Sequence, residues 1–252
     1  MSETPSNTAS AGQKLAQEHF PAKYVDDIAK ISAEQNYFSP VWQDVVARLG
    51  GFERMLDVGC GTGVFSAEAK KRTGCKLYGV DGSDYALRQA AEIGFETLAC
   101  IADFNADRLP FADAQFDFCL CKDLLEHLVR PDFVLGEAHR VLKPDGHLLV
   151  HVPNHFPLQG RIRFLFTNNI DTFHYFPGAQ RWDFPHIRFF TYASLLELVQ
   201  LSGFRVIANL SGHFPAIPLG RFLLPVPAVR RRVAARYSSQ FAEGLTLLVQ
   251  KP

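Results

Sequence analysis

The sequence predicts a doubly wound α/β domain, a mostly parallel sheet covered by helices on both faces. Two observations predict the layering. Short apolar runs of strand character alternate with helical runs from Arg54 to Val152, and the first of these strands breaks into a glycine-rich turn that opens a helix. A third makes a compact core affordable: 47% of the 252 residues are hydrophobic and 21% are charged.

Taken in order, the polar N-terminus MSETPSNTASAGQ reads as a disordered tail over residues 1–13, without the basic start and apolar run of a secretory signal. Residues 14–252 read as a single domain. From about Leu15 to Leu49 the pattern is helical, with Ser39 expected as an N-cap and Pro40 at the first helical position. Arg54 to Val58 is a short buried strand, and VFSAEAKKR after the glycine turn is a helix. The alternation continues through the strand KLYGV, the helix SDYALRQAAEI, and the strands FETLACI and FDFCLCK. A helix from about Pro131 to Leu142, a KPDG turn and the strand HLLVHV complete this part.

After Pro153 the regularity is expected to stop for nearly forty residues, up to a helix near Tyr192 to Ser202 and the strand GFRVIANL. An irregular stretch of that length suits a functional cap, placed at residues 154–190. GLTLLVQK forms a last strand.

Twenty-six basic and twenty-six acidic side chains cancel, which disfavours a nucleic-acid partner. Cys60, Cys75, Cys100, Cys119 and Cys121 show no CxxC pair or metal-ligand spacing, so they read as reduced, mostly buried thiols of a cytoplasmic protein. The apolar stretch Phe214 to Val229 is cut by Pro215, Pro218, Pro225 and Pro227 and is too short to span a membrane. Arg230, Arg231, Arg232 and Arg236 follow it, a basic patch that could rest on an anionic membrane or simply face water.

The chemistry concentrates at LDVGCGTG, Leu56 to Gly63. In an open α/β sheet the ligand lies beyond the carboxyl ends of the strands, and glycine lets the first turn approach it. Gly59, Gly61 and Gly63 are followed by Val64, where a dinucleotide fingerprint would carry Gly or Ala. Asp81 ends the second strand, where an acidic group accepts ribose hydroxyls. Asp57 suits a ligand's ammonium group and would repel phosphate. Together they favour a nucleoside bearing an amino acid. A nicotinamide-dependent reductase would need a Tyr-x-x-x-Lys pair, and Tyr85 is followed four residues on by Gln89.

LDVGCGTG, GVDGS and ADFNADRLPFADAQFDFCLCKDLLEHLVRPDFVLGEAHRVLKPDGHLLVHVPN together resemble class I methyltransferases of the ubiquinone-biosynthesis type, over about Met55 to Asn154. The resemblance implies a seven-stranded sheet with an antiparallel last strand and S-adenosylmethionine as cofactor. It places Asp57, Gly59, Cys60, Gly61 and Gly63 around the methionine portion, and Asp81, with Gly82 and Ser83 after it, at the ribose. Asp103 and Phe104 would meet the adenine, and Lys122, Asp123 and Leu124 would line the wall near the sulfonium.

In some similar enzymes a histidine at the position of His127 takes the acceptor's proton, and imidazole is a usable base near neutrality. His186, in HIRFFTYASLLELVQLSGF, is the second candidate. The 154–190 insertion mixes His155, His174, Asp171, Asp183, Arg161, Arg163, Arg181 and Arg188 with Phe156, Phe164, Phe166, Phe173, Tyr175, Phe176, Trp182 and Phe184, a composition for a pocket with apolar walls and a few polar points. No helical HxxxH occurs, and no metal is expected. The expected activity is methyl transfer to a small or medium-sized acceptor, through oxygen. The alternative is a non-catalytic module that binds the cofactor or a protein partner. Neither the acceptor nor the oligomeric state is written in the sequence.

Overall fold

The computed structural model describes residues 37–167, 186–216 and 226–252. The expected tail, the helical region before residue 37 and residues 217–225 lie outside the described residues. So do residues 168–185 of the expected cap, including Asp171, Phe173, His174, Tyr175, Phe176, Arg181, Trp182, Asp183 and Phe184.

The chain enters through helix α1 (Ser39–Leu49), whose Val41, Trp42 and Val45 fall on one face and are buried. Gly50 ends it in the left-handed conformation, donating its N–H to the Val46 carbonyl. Ser39 is the first helical residue and not the N-cap, which is Phe38. Its hydroxyl is used elsewhere, donating to Glu68 and accepting from Arg72 on the next helix.

Strand β1 (Arg54–Val58) leads through the glycine turn into α2 (Val64–Thr73), followed by β2 (Lys76–Asp81), α3 (Asp84–Ala90), β3 (Thr97–Cys100) and β4 (Phe116–Lys122). Helix α4 (Pro131–Val141) and β5 (Leu142–Pro153) come next, then α5 (Leu158–Thr167), α6 (Tyr192–Leu201), β6 (Arg205–Asn209), α7 (Pro227–Arg236), the short α8 (Ser238–Phe241) and β7 (Gly244–Gln250). Helix α5 corrects the expectation of an irregular stretch after Pro153. Leu158, Ile162, Leu165 and Phe166 recur at helical spacing, and Gly160 does not break it.

The sheet has seven strands in the order β3-β2-β1-β4-β5-β7-β6. β1, β2, β3, β4 and β5 run parallel, and β7 inserts antiparallel between β5 and β6, paired from His147↔Gln250 to Pro153↔Gly244. The doubly wound plan with an antiparallel last strand is therefore realised. Alternation along the strands separates two cores. Leu56, Val58, Cys119, Cys121, Leu148 and Val150 face α4 and α6, while Met55, Leu77, Phe118, Leu120 and Leu149 face α1. Cys60, Cys75, Cys119 and Cys121 are buried thiols outside any disulfide, and Cys100 is half-buried.

Trp42 anchors the second core. It is fully buried between Phe52 and Phe118 and donates Nε1–H to the Phe65 carbonyl at 3.0 Å. Trp42→Ala is expected to cost about 3–5 kcal/mol, read as a lowered midpoint in urea denaturation with an unchanged slope. Among the described residues no helix is long and apolar enough to cross a membrane. Helix α7 leaves Arg231, Arg232 and Arg236 exposed.

Candidate cofactor and acceptor site

The turn from Gly59 to Gly63 needs its glycines because all three adopt positive φ, at 78°, 51° and 77°. A Cβ on Gly59 would press on Leu124 at 3.1 Å, whereas one on Gly61 meets nothing within 4 Å, so the turn opens onto free space there. The amides of Gly59 and Cys60 both donate to the Val80 carbonyl, at 2.8 and 2.9 Å, tying the turn to the end of β2. Asp81 locks the arrangement. Its Oδ2 accepts the Gly61 N–H and its Oδ1 the Ser83 N–H, both at 2.8 Å. A carboxylate offers about four lone-pair sites, so these amides leave it capacity for a ligand's hydroxyl. Gly82 and Ser83 follow, and the Ser83 hydroxyl caps α3 by accepting the Ala86 N–H. The donors, the acceptor and the open cradle fit the sugar and methionine portions expected from the sequence.

Asp57 lies below this turn, 3% exposed, with the Ser66 hydroxyl donating to its Oδ2. Burial first, and the charge of Asp81 as well, push its carboxyl up to about 7 against the Ser66 hydrogen bond. In the unfolded chain an aspartate ionises near ~3.9. This group's contribution to stability is therefore full below pH ~4 and is lost as pH rises through about 7. Asp57→Asn is expected to raise the unfolding free energy of the ligand-free chain at pH 8 by roughly 1–3 kcal/mol, with no gain at pH 4, as denaturant titrations at the two pH values would show. The Cys60 thiol is buried beside it and pushed well above its ordinary range by desolvation.

Lys122 ends β4 and points into the same side of the sheet, 6% exposed. Its ammonium pairs with Asp123 and stands 3.8 Å from the Phe65 ring centroid and 5.3 Å from that of Tyr37. Burial would lower its pKa, but Asp123 and Tyr37 outweigh it and hold the ammonium above its ordinary range. Asp123 has φ 50°, a left-handed non-glycine residue, fixed by donation of its N–H to the His151 carbonyl. Leu124, the last of the three expected wall residues, packs against Gly59 of the turn. Asp103 is exposed and accepts both nitrogens of Asn105, while Phe104 packs on the core beside it. Tyr37 was not anticipated; a lone tyrosine before a helix carries no signal in sequence.

A short 3₁₀ turn, Leu125–His127, follows Leu124, and the His127 N–H donates to the Leu124 carbonyl at 3.0 Å. The fold brings His186 against it: the two rings meet edge to face, centroids 4.8 Å apart. Both histidines expected from sequence thus share one site. Two residues join them that sequence reasoning had not assigned a role. His155 Nε2 is 2.9 Å from His186 Nδ1, and the fully buried Glu126 places Oε1 4.0 Å from His186 Nε2. Burial above all lowers the imidazole pKa of His155 to about 4 and of His186 to about 3. Burial pushes the Glu126 carboxyl well above its ordinary range. Glu126, His127 and His186 each offer one ligand atom within 4.8 Å of the others, a grouping that a search for HxxxH does not detect. The exposed rings of Phe156 and Phe189 lie over this cluster, Phe189 5.0 Å from His155.

The chain matches known proteins in part of its sequence and in fold. Residues 56–150 match the family model for a methyltransferase domain. A ubiquinone biosynthesis O-methyltransferase from Alkalilimnicola ehrlichii is 34% identical over 125 residues, covering 47% of this chain and 50% of that protein. The chain spans about half the length of the curated relatives it matches. Among solved structures, the 1,6-didemethyltoxoflavin-N1-methyltransferase of Burkholderia thailandensis, with 1,6-didemethyltoxoflavin and S-adenosylhomocysteine bound, superposes with TM-score 0.59 at 18% identity, over 99% of this chain and 93% of that one. The cyclase SpnF superposes with TM-score 0.61 at 20% identity, over 97% and 98%. At these identities the two structures speak for the fold.

Proposed function

We propose that this chain, a class I methyltransferase in fold and in the sequence of residues 56–150, transfers a methyl group from S-adenosylmethionine to a hydroxyl oxygen of a small or medium-sized acceptor. The observation that carries the reading is contiguity. The glycine turn held by Asp81 packs on the Leu124 side chain, and the Leu124 carbonyl accepts the His127 N–H, so the turn and the residue that carries the imidazole are joined through Leu124.

When bound, S-adenosylmethionine supplies a methyl group already activated by its sulfonium. The chain's task is therefore placement, which is worth up to ~7–11 kcal/mol when donor and acceptor are held in line. Asp81 would receive the ribose through its remaining lone-pair capacity. Gly61 keeps a side chain out of the approach while Gly59 and Gly63 let the turn pack on Leu124 and Phe95; Asp103 and Phe104 would border the adenine, and Lys122, Asp123 and Leu124 would close the methionine end. His127 removes the acceptor's hydroxyl proton as the oxygen gains the methyl group. Proton removal is assigned to imidazole, without a metal ion.

Residues 154–190 act as the acceptor cap. The rings of Phe156 and Phe189, 6.2 Å apart, give its mouth an apolar character suited to an aromatic or alkyl-bearing hydroxyl compound. The O-methyltransferase relative supports oxygen as the attacked atom. Phe156→Ala with Phe189→Ala is expected to raise the acceptor KM about tenfold and to leave cofactor Kd unchanged, by steady-state kinetics and calorimetry.

A transfer screen with isotopically labelled cofactor, run against phenols, alcohols, saccharides and lipids, tests the reading. It predicts label on a hydroxyl oxygen. Label only on nitrogen or carbon would refute the oxygen assignment. Cofactor binding without transfer to any acceptor would favour the non-catalytic module.

A further inference from the structure

We infer that His186 is a proton donor in a one-way hydrogen-bond chain ending on Glu126, which makes Glu126, His186 and His155 positioning residues for His127. The inference rests on the O-methyl transfer reading above, in which His127 is the base.

The direction of the chain follows from its first link. The Phe190 N–H donates to His155 Nδ1 at 3.3 Å, so that nitrogen presents a lone pair. A neutral imidazole has one donor and one acceptor nitrogen, which puts the proton of His155 on Nε2. That atom lies 2.9 Å from His186 Nδ1 and donates to it. By the same rule the proton of His186 sits on its own Nε2. Burial keeps both rings neutral, their pKa values lowered to about 4 and about 3.

Nε2 of His186 faces Glu126 Oε1 at 4.0 Å, and a movement of about 1 Å makes this a hydrogen bond. Glu126 has the capacity to accept it. Neither carboxyl oxygen has a hydrogen-bond partner among the described residues, although the side chain is fully buried. The backbone holds the two groups in register. The Glu126 carbonyl accepts the N–H groups of Ile187 and Arg188 at 2.9 and 3.0 Å, and the Arg188 guanidinium donates to the carbonyls of Leu128 and Val129.

Two consequences follow. His186 has no lone pair left for a substrate proton, so its contribution to catalysis is to fix the His127 ring that it meets edge on. Nor can it ligate a metal, despite the spacing within Glu126, His127 and His186. Freeing Nε2 would move its proton to Nδ1, facing His155 Nε2. His155 would then need lone pairs on both nitrogens, the deprotonated imidazolate.

Nitrogen-15 long-range correlation spectra of the ligand-free full chain at pH 7 test the assignment without any turnover. Neutral Nε2–H tautomers are expected for both His155 and His186, unchanged by one equivalent of zinc. An Nδ1–H tautomer at His186, or zinc that displaces its signal, would overturn the chain. In kinetics, Glu126→Leu is expected to lower kcat about tenfold or more with cofactor Kd unchanged, and Glu126→Gln, whose amide oxygen still accepts the His186 N–H, to restore it to within about threefold. The same spectra show whether each variant is folded. Equal losses in both folded variants would remove the positioning role and leave methyl transfer standing. Absence of transfer by the natural chain would strike that reading and leave the tautomers to be judged by the spectra.

Discussion

His127→Ala is expected to lower kcat for a hydroxyl acceptor about 10²- to 10⁴-fold, the range for loss of a positioned general base. Cofactor Kd should stay within about twofold, because the link shown from His127 to the glycine cradle runs through the backbone of Leu124 and not through the ring. The pH profile carries a second signature. A base acts in its unprotonated form, so the natural chain should gain rate as pH rises on the acid side, and His127→Ala should lose that limb. His186→Ala should lower kcat less and keep it, since His186 positions the base and does not accept the proton. Stopped-assay kinetics across pH, with calorimetry for the cofactor, separate the two histidines. Similar loss with the limb retained in both variants would show that neither ring is the base.

The other large effect is expected at Asp81. Its carboxylate holds the Gly61 and Ser83 amides and, in the proposed function, the ribose hydroxyls. Hydrogen bonds to a charged group contribute about 1.5–3 kcal/mol each, so Asp81→Ala is expected to weaken cofactor binding about 10²- to 10⁴-fold. Some of that loss would come from release of the turn. Asp81→Asn separates the contributions, because its amide oxygen still accepts one backbone N–H while the charge is gone. An intermediate affinity is expected for it, with kcat at saturating cofactor close to that of the natural chain.

How far the sequence reveals such a site depends on how local the chemistry is. The glycine turn and Asp81 lie on one strand-turn-helix-strand unit, where residue type and backbone conformation constrain each other within a few positions. The FDFCLCK strand and the closing GLTLLVQK strand were legible for the same reason, as short, mainly apolar runs buried on both faces. The acceptor side is different. His155 and His186 stand 31 residues apart, and Glu126 is joined to them only when the 186–188 backbone docks on the turn after β4. A glutamate inside LLEHL gives no hint that its carboxyl group is fully buried. Tyr37 reaches Lys122 through packing of the segment just before α1 on the sheet, which no local pattern encodes. Helix α5 was hidden by a different cause. Its stripe of Leu158, Ile162, Leu165 and Phe166 spans only ten residues, carries Gly160 within it, and faces outward, with no core to mark it.

The proposed function depends most on the glycine cradle being a site for S-adenosylmethionine. Titration calorimetry of the natural chain and of Asp81→Ala with S-adenosylmethionine, in parallel with its demethylated product and with NAD, tests it directly. One-to-one binding of both sulfur compounds by the natural chain, loss of about 10²-fold or more in affinity in the variant, and no binding of NAD are expected. No binding of either sulfur compound, or equal binding by the natural chain and Asp81→Ala, would contradict it.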